Sequence, residues 1–317
     1  MHTGDLIRRT LVSSLSITAI AFARSVPVEA QQGATEIVAR ATEAIDPLRD
    51  SLALHKAGYF AIGFGGGVKD LTPFQGQHWI QFARFIANPA VDIAKPNFMM
   101  YLPLGDSLVP IGVAYTRRTP ADSALPTDLA GAAAEWHTHI FCRGTQGEGN
   151  VLADGVEDCK ARAGTPAPNQ IAMVHAWTIT NPDGPFAHDN PALPYIATGL
   201  KPPAHATRDD RLLGVALGET YGARLVAAHL IDRALSKTGP RPSLDQRRAA
   251  LRATVPQLRD AERSGDASKL QAARKKTIDA WNALAAEYRA VAPTAEMRAR
   301  FDLELDQAQG LVAHHHM

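Results

Sequence analysis

The chain has 317 residues, 33 of them Lys or Arg and 32 Asp or Glu, for a formal charge of +1. A balance this close to neutral gives no electrostatic footing for a nucleic-acid partner or an anionic membrane surface. Apolar residues at 45% and charged residues at 21% exclude a disordered chain and leave enough apolar surface for a core.

The first thirty residues read as an export signal. Arg8 and Arg9 precede a mostly apolar run of 12 residues, 11–22, and Val28-Glu29-Ala30 places small residues either side of Glu29 just before Gln31. The run is too short to span a bilayer. Cleavage is expected after Ala30, leaving 30 basic and 30 acidic residues in the mature chain. No later run reaches 18 apolar residues, so no membrane span is expected in the mature chain. The expected location is the periplasm or the secreted fraction, and the arginine pair leaves the twin-arginine route open. In such an oxidising compartment Cys142 and Cys159, 17 positions apart, are expected to form a disulfide.

Residues 34–56 carry Ile37, Ala41, Ala44 and Leu48 at helical spacing, with Pro47 limiting or kinking the helix. The glycine patch 63–67 opens no recognisable helix and is a loop, not a phosphate cradle. Between 77 and 200 short apolar runs alternate with Pro, Gly and Asn. Residues 98–104 and 108–116 flank Gly105-Asp106-Ser107, which predicts a hairpin with a three-residue turn. Further strands are expected over 135–141 and 171–180, followed by the turn Asn181-Pro182-Asp183-Gly184-Pro185.

From 207 onward the period is helical. Leu213, Leu217, Tyr221 and Leu225 recur every four residues, and Leu270, Ala273, Thr277, Trp281, Leu284 and Tyr288 continue the pattern. Ser243-x-x-Gln246 and Ser268-x-x-Gln271 have the capping-box form and Pro256 is expected to break a helix, giving four helices. The fold class is therefore α+β: an N-terminal helix, a small antiparallel sheet with long loops, and a C-terminal helical bundle or hairpin array. The expected organisation is a signal peptide over 1–30, a sheet domain over 31–206 and a helical region over 207–317. If the protein is an interaction module, the helical region is the expected partner surface, with the partner unidentified.

The sharpest local feature is Glu135-Trp136-His137-Thr138-His139. On a strand, residues two apart share a face, so both imidazoles project together. Met173-Val174-His175-Ala176-Trp177 repeats the geometry on a second strand. If the strands pair, His137, His139 and His175 converge, with Met173 as a weak axial donor and His78 as a further ligand. Imidazoles suit copper and zinc; an added thioether favours copper, and three imidazoles with an open position suit catalytic zinc. Glu135 and Trp177 are the outer neighbours. His-x-His also occurs in cupins, but the next glutamate, Glu148, lies too far along and no second cupin motif follows. Asn150, Asp154, Glu157 and Asp158 lack calcium-loop spacing. No G-x-S-x-G elbow supports a serine hydrolase, and His314-His315-His316 reads as a tail.

A longer pattern joins these pieces. Gly76-Gln77-His78-Trp79, Pro96-x-x-Met99-x-Tyr101, a strand ending at Tyr115, His175-x-Trp177 and Asn181-Pro182-Asp183-Gly184-Pro185-Phe186-Ala187-His188-Asp189-Asn190-Pro191 follow in order. Over about residues 76–191 this series resembles a group of bacterial exported proteins of uncharacterised activity. The resemblance implies export and a shared central domain. It includes His78 and His175 but not His137 and His139. Asn181 and Asn190 are expected to form an interlocked turn by bonding backbone groups. Two functions follow from these residues: a non-enzymatic protein binding a metal or small ligand, and a metalloenzyme of copper-redox or zinc-hydrolytic type with Glu135 as a nearby carboxylate. An interaction module without metal is the third.

Overall fold

The computed structural model describes residues 28–312 apart from 63–70, 89, 122, 127–128, 130–133, 146–148, 154, 162, 238 and 240. The expected leader, except for the backbone of residues 28–30, therefore lies outside the described residues. So do the glycine patch, Asp154 and the terminal histidines, as well as the side chains of Asn150, Glu157 and Asp158.

Two helices lead the chain, α1 (Val28–Ile45) and α2 (Ser51–Lys56), parted at the Pro47 segment. The expected cut after Ala30 falls in the first turn of α1. Ile37, Ala41 and Ile45 form its buried stripe. Asp50 starts α2 by accepting the Ala53 N–H at 2.8 Å. There follow β1 (Tyr59–Ile62), β2 (Gln77–Gln81), α3 (Phe82–Ala87), β3 (Phe98–Leu104), β4 (Ser107–Pro120), β5 (His137–Thr145), β6 (Gly149–Ala153), α4 (Val156–Ala161), β7 (Thr165–Trp177) and α5 (Leu193–Thr198). The seven strands form one curled antiparallel sheet in the order β1-β2-β3-β4-β7-β5-β6.

The hairpin turn is tighter than its sequence implied. Leu104 pairs with Ser107, so Gly105 and Asp106 alone make the turn. Gly105 has φ 61° while Asp106 does not enter the positive region, which matches a turn whose first central residue must be glycine. β4 runs on to Pro120 because the whole of 112–120 pairs with β7. β7 begins at Thr165 and stops at Trp177, where its N–H turns to the Pro185 carbonyl at 2.8 Å.

The C-terminal region holds six helices where four were expected: α6 (Arg208–Tyr221), α7 (Val226–Ser236), α8 (Pro242–Arg252), α9 (Thr254–Ser264), α10 (Ala267–Val291) and α11 (Ala295–Ala308). The expected break occurs just ahead of Pro256: the division falls at Ala253, and Pro256 sits in the first turn of α9, where no intrahelical donor is required. Neither expected capping box forms. Ser243 lies inside α8, whose cap is Arg241, and Asp266 caps α10 by accepting the N–H groups of Ser268 and Lys269. The reciprocal box is instead Thr207 with Asp210 at the start of α6. Among the described residues no helix is long and apolar enough to cross a membrane.

The sheet has two differently used faces. One carries Trp79, Met99, Tyr101, Val113, Tyr115, Val174 and Ala176 and is covered by α1 and α2. The other carries Ile80, Phe98, Met100, Ala114, Ile171, Met173 and Trp177. Tyr195 and Leu200 pack with Leu213 and Leu217, and Phe74 is buried among the C-terminal helices, so the sheet and the helices share apolar contacts. Cys142 on β5 and Cys159 on α4 form the expected disulfide, fully buried, with Cα atoms 5.5 Å apart. Closing a loop of this size contributes about 3 kcal/mol in the chain-entropy description.

Candidate metal centre

Strand alternation builds the site on the second face. Across the sheet His78 pairs with Met100, Met100 with Gly112, Ala114 with His175, and Met173 with His137. His78, Met100, Gly112, Ala114, Met173, His175, His137 and His139 therefore point the same way. On β4 the residues between the histidines are only Gly112 and Ala114, which leave the room above that strand to the imidazoles. Gly112 is itself obligatory, because a Cβ there would lie 2.7 Å from the Ala176 carbonyl oxygen. The strand bearing His78 is three spacings from that bearing His175, about 14 Å in a flat sheet. Their Nε2 atoms are nonetheless 3.3 Å apart. Only a sheet curled toward this face brings them together.

The rings of His137, His139 and His175 converge, with 4.9 Å between the centroids of His137 and His139 and 4.9 Å between those of His137 and His175. The tightest three-ligand group differs from the one the strands alone implied. Ligand atoms of His137, His139 and His188 all lie within 4.8 Å of one another, and all three residues are buried. His188 takes the place of His175 in that group, its ring 4.1 Å from that of His137. Such a triad can hold a metal ion.

His188 was not singled out as a ligand in the sequence, because it lies on no strand. Its position follows from the interlocked turn. Asn181 donates to the Asp189 carbonyl at 2.9 Å and accepts the Asp183 N–H, while Asn190 donates to the Thr180 carbonyl and accepts the Ala192 N–H. Trp177 Nε1 donates to the Ala187 carbonyl at 2.7 Å. These bonds fold the segment after β7 back over the histidine face. Glu135 Oε2 then accepts the His188 N–H at 3.1 Å, and Gln75 Nε2 lies 3.2 Å from His188 Nε2. The legible signal was a histidine inside a turn of paired Asn-Pro steps directly after a histidine-bearing strand.

Tautomers follow from the acceptors. His78 Nδ1 faces the Gly76 carbonyl at 3.1 Å, His175 Nδ1 the His188 carbonyl at 2.6 Å and His137 Nδ1 the Glu135 carbonyl at 3.4 Å. A carbonyl oxygen only accepts, so each Nδ1 carries the proton and each Nε2 presents a lone pair. Imidazoles fixed by a backbone carbonyl behind the ring are the usual form of metal-bound histidine. Gly76 serves the same end, since a Cβ there would meet the Tyr101 carbonyl at 2.5 Å and displace the segment that orients His78.

The electrostatics keep the rings neutral. Burial, reinforced by neighbouring histidines, pulls His78 down to about 4 from its ordinary value near 6.5, against the opposing Gly76 hydrogen bond. Burial likewise holds His137 and His175 well below that value. Neutral imidazoles are the form that ligates metal. Met173, buried to within 2% of full cover, stands across from His137, and Trp177 packs edge-on at 5.4 Å from the His175 ring. No known family model matches the chain, and comparisons with curated proteins and with solved structures find no significant match.

Proposed function

We propose that this is an exported protein of the periplasm or secreted fraction that binds a transition-metal ion at the histidine face of its sheet. The observation that carries the reading is the buried triad of His137, His139 and His188, with ligand atoms within 4.8 Å of one another. The Nδ1–H groups bonded to carbonyls support it, because they fix the ligating nitrogen in advance. Imidazole donors match copper and zinc, and the thioether of Met173 on the same face favours copper. His175 and His78 lie on the same face, on its inner side.

Glu135 favours binding over hydrolysis. Its carboxylate is bonded to the backbone of His188, so it positions a ligand. The Cys142–Cys159 disulfide supports export, since such bonds persist in oxidising compartments.

Elemental analysis and N-terminal mass measurement of the full chain, expressed with its leader and recovered from the periplasm, test this reading. Copper or zinc should co-purify with a chain beginning at Gln31. His139→Ala should lower metal affinity by more than about 100-fold, the upper end of what outer neighbours contribute, while removal of His314 to His316 should not. A periplasmic protein that retains Met1, or that holds no transition metal, overturns it.

A further inference from the structure

His78 and His175 belong to the same face as the triad yet do not join it. Among the described residues the group whose ligand atoms lie within 4.8 Å of one another stops at His137, His139 and His188. His78 and His175 form a separate, closer pair, Nε2 to Nε2 at 3.3 Å. Both Nδ1 atoms donate to carbonyls, so in the neutral state the two facing nitrogens both present lone pairs. Two nitrogens held at that distance need a proton or a metal ion shared between them. The spacing has a specific meaning: metal–nitrogen bonds of about 2.0–2.1 Å at the tetrahedral angle put two ligand nitrogens about 3.3–3.4 Å apart. A four-coordinate ion also cannot use five imidazoles at once.

We propose that the face holds two metal ions: an outer one on His137, His139 and His188, and an inner one bridging Nε2 of His78 and Nε2 of His175. This rests on the metal-binding reading above and adds a second site to it. The two positions differ in access. His139 and His188 each retain 8% of their surface, whereas His78 and His175 retain 1%. The outer position is therefore the more accessible of the two. Each position also has a thioether across the strand pair, Met173 opposite His137 and Met100 opposite His78, and Met100 is fully buried. A soft donor beside each imidazole group makes cuprous copper a suitable occupant of both, with zinc as a tetrahedral probe.

The test is native mass spectrometry of the metal-free mature chain titrated with Zn(II) and, separately, with Cu(I), together with anomalous diffraction from zinc-loaded wild-type crystals. Two ions per chain should bind, and two anomalous peaks should appear, one of them between His78 and His175. His78→Gln should bind one ion and keep the outer peak. The crystallographic arm needs no variant, so the proposal stays testable if that substitution impairs folding. Wild-type protein that saturates at one ion, with no density between His78 and His175, overturns the second site and leaves the metal-binding function standing. Protein that binds neither ion overturns both.

Discussion

The sheet and the C-terminal helices both bury polar side chains, but they satisfy them by different chemistry. In the helices the buried groups have opposite signs. Glu219, 2% exposed, accepts from Arg224 at 2.7 Å and from Arg248 at 3.2 Å; Arg248 also donates to Asp232 at 2.6 Å and to the Tyr288 hydroxyl at 2.7 Å. Arg274 pairs with Asp210 at the head of α6. The charges of this network balance within the chain, although burial still holds the Glu219 carboxyl above its usual range and its Oε2 finds no hydrogen-bond partner among the described residues. On the sheet and the loop folded over it the buried groups are alike, five histidines, of which His78, His137 and His175 turn Nδ1 to a carbonyl. Burying polar groups without compensation costs several kcal/mol in either place. The helical network offsets part of that cost with its own counter-charges, whereas on the proposed reading the imidazole cluster is completed by a cation from outside. A buried polar cluster made of one residue type capable of ligation is thus a stronger sign of function than a larger one made of matched charges.

Four measurements break or sharpen this contrast. The largest effect is expected in the helices. Arg248→Ala leaves Glu219 and Asp232 to share Arg224 and so uncovers one buried negative charge; it should destabilise the fold by about 3–5 kcal/mol in chemical denaturation, with metal content unchanged in the folded fraction. A loss below about 1 kcal/mol would show that the network is not what settles the buried carboxylate.

The sheet should respond instead to pH. The folded state holds His78 near 4, so between about 6.5 and 4 the unfolded chain binds a proton that the folded chain refuses. Stability of the metal-free protein is therefore fully present above about pH 7 and falls as the pH drops through that window. His78 alone accounts for on the order of 3 kcal/mol, and His137 and His175 act in the same direction. Urea midpoints recorded from pH 7.5 to 4.5 should fall steadily, and a flat profile would contradict the buried neutral cluster.

Gly112→Ala probes the close passage of β4 against β7 beneath the histidines. The added methyl meets the Ala176 carbonyl oxygen at 2.7 Å, so a loss of about 1–3 kcal/mol is expected in thermal or denaturant unfolding. An unchanged stability would mean that the two strands part without consequence. The smallest effect belongs to Thr207→Ala, which removes one half of the capping box of α6 and should cost about 1 kcal/mol while leaving metal binding untouched. A change in metal content in that variant would tie the two regions together and blur the contrast.

Much of this arrangement is local and was legible in the residues. The α+β class followed from periods: two-residue alternation in the middle of the chain, helical spacing after 207. His137 and His139 share a face because they are two apart on a strand, and His175 shares one with Met173 and Trp177 for the same reason. The two cysteines, with an export signal expected ahead of them, were enough to expect the bond that joins β5 to α4. Caps were less legible. Ser243 and Ser268 have the right neighbours, but the cap belongs to whichever residue leaves the helical conformation first, and at α10 that residue is Asp266.

What the tertiary structure alone decided is which histidines meet. Pairing order is a property of the whole sheet, and β7 lies between β4 and β5 although β5 and β6 precede it in the chain. Curl is also collective, and only curl closes the gap of three strands between His78 and His175. His188 reaches the triad because two asparagines, a tryptophan N–H and a glutamate fix the path of the loop that carries it. Spacing in the sequence determines which face a side chain points from; the distance between two such side chains is set by long-range pairing and twist, which no local pattern encodes.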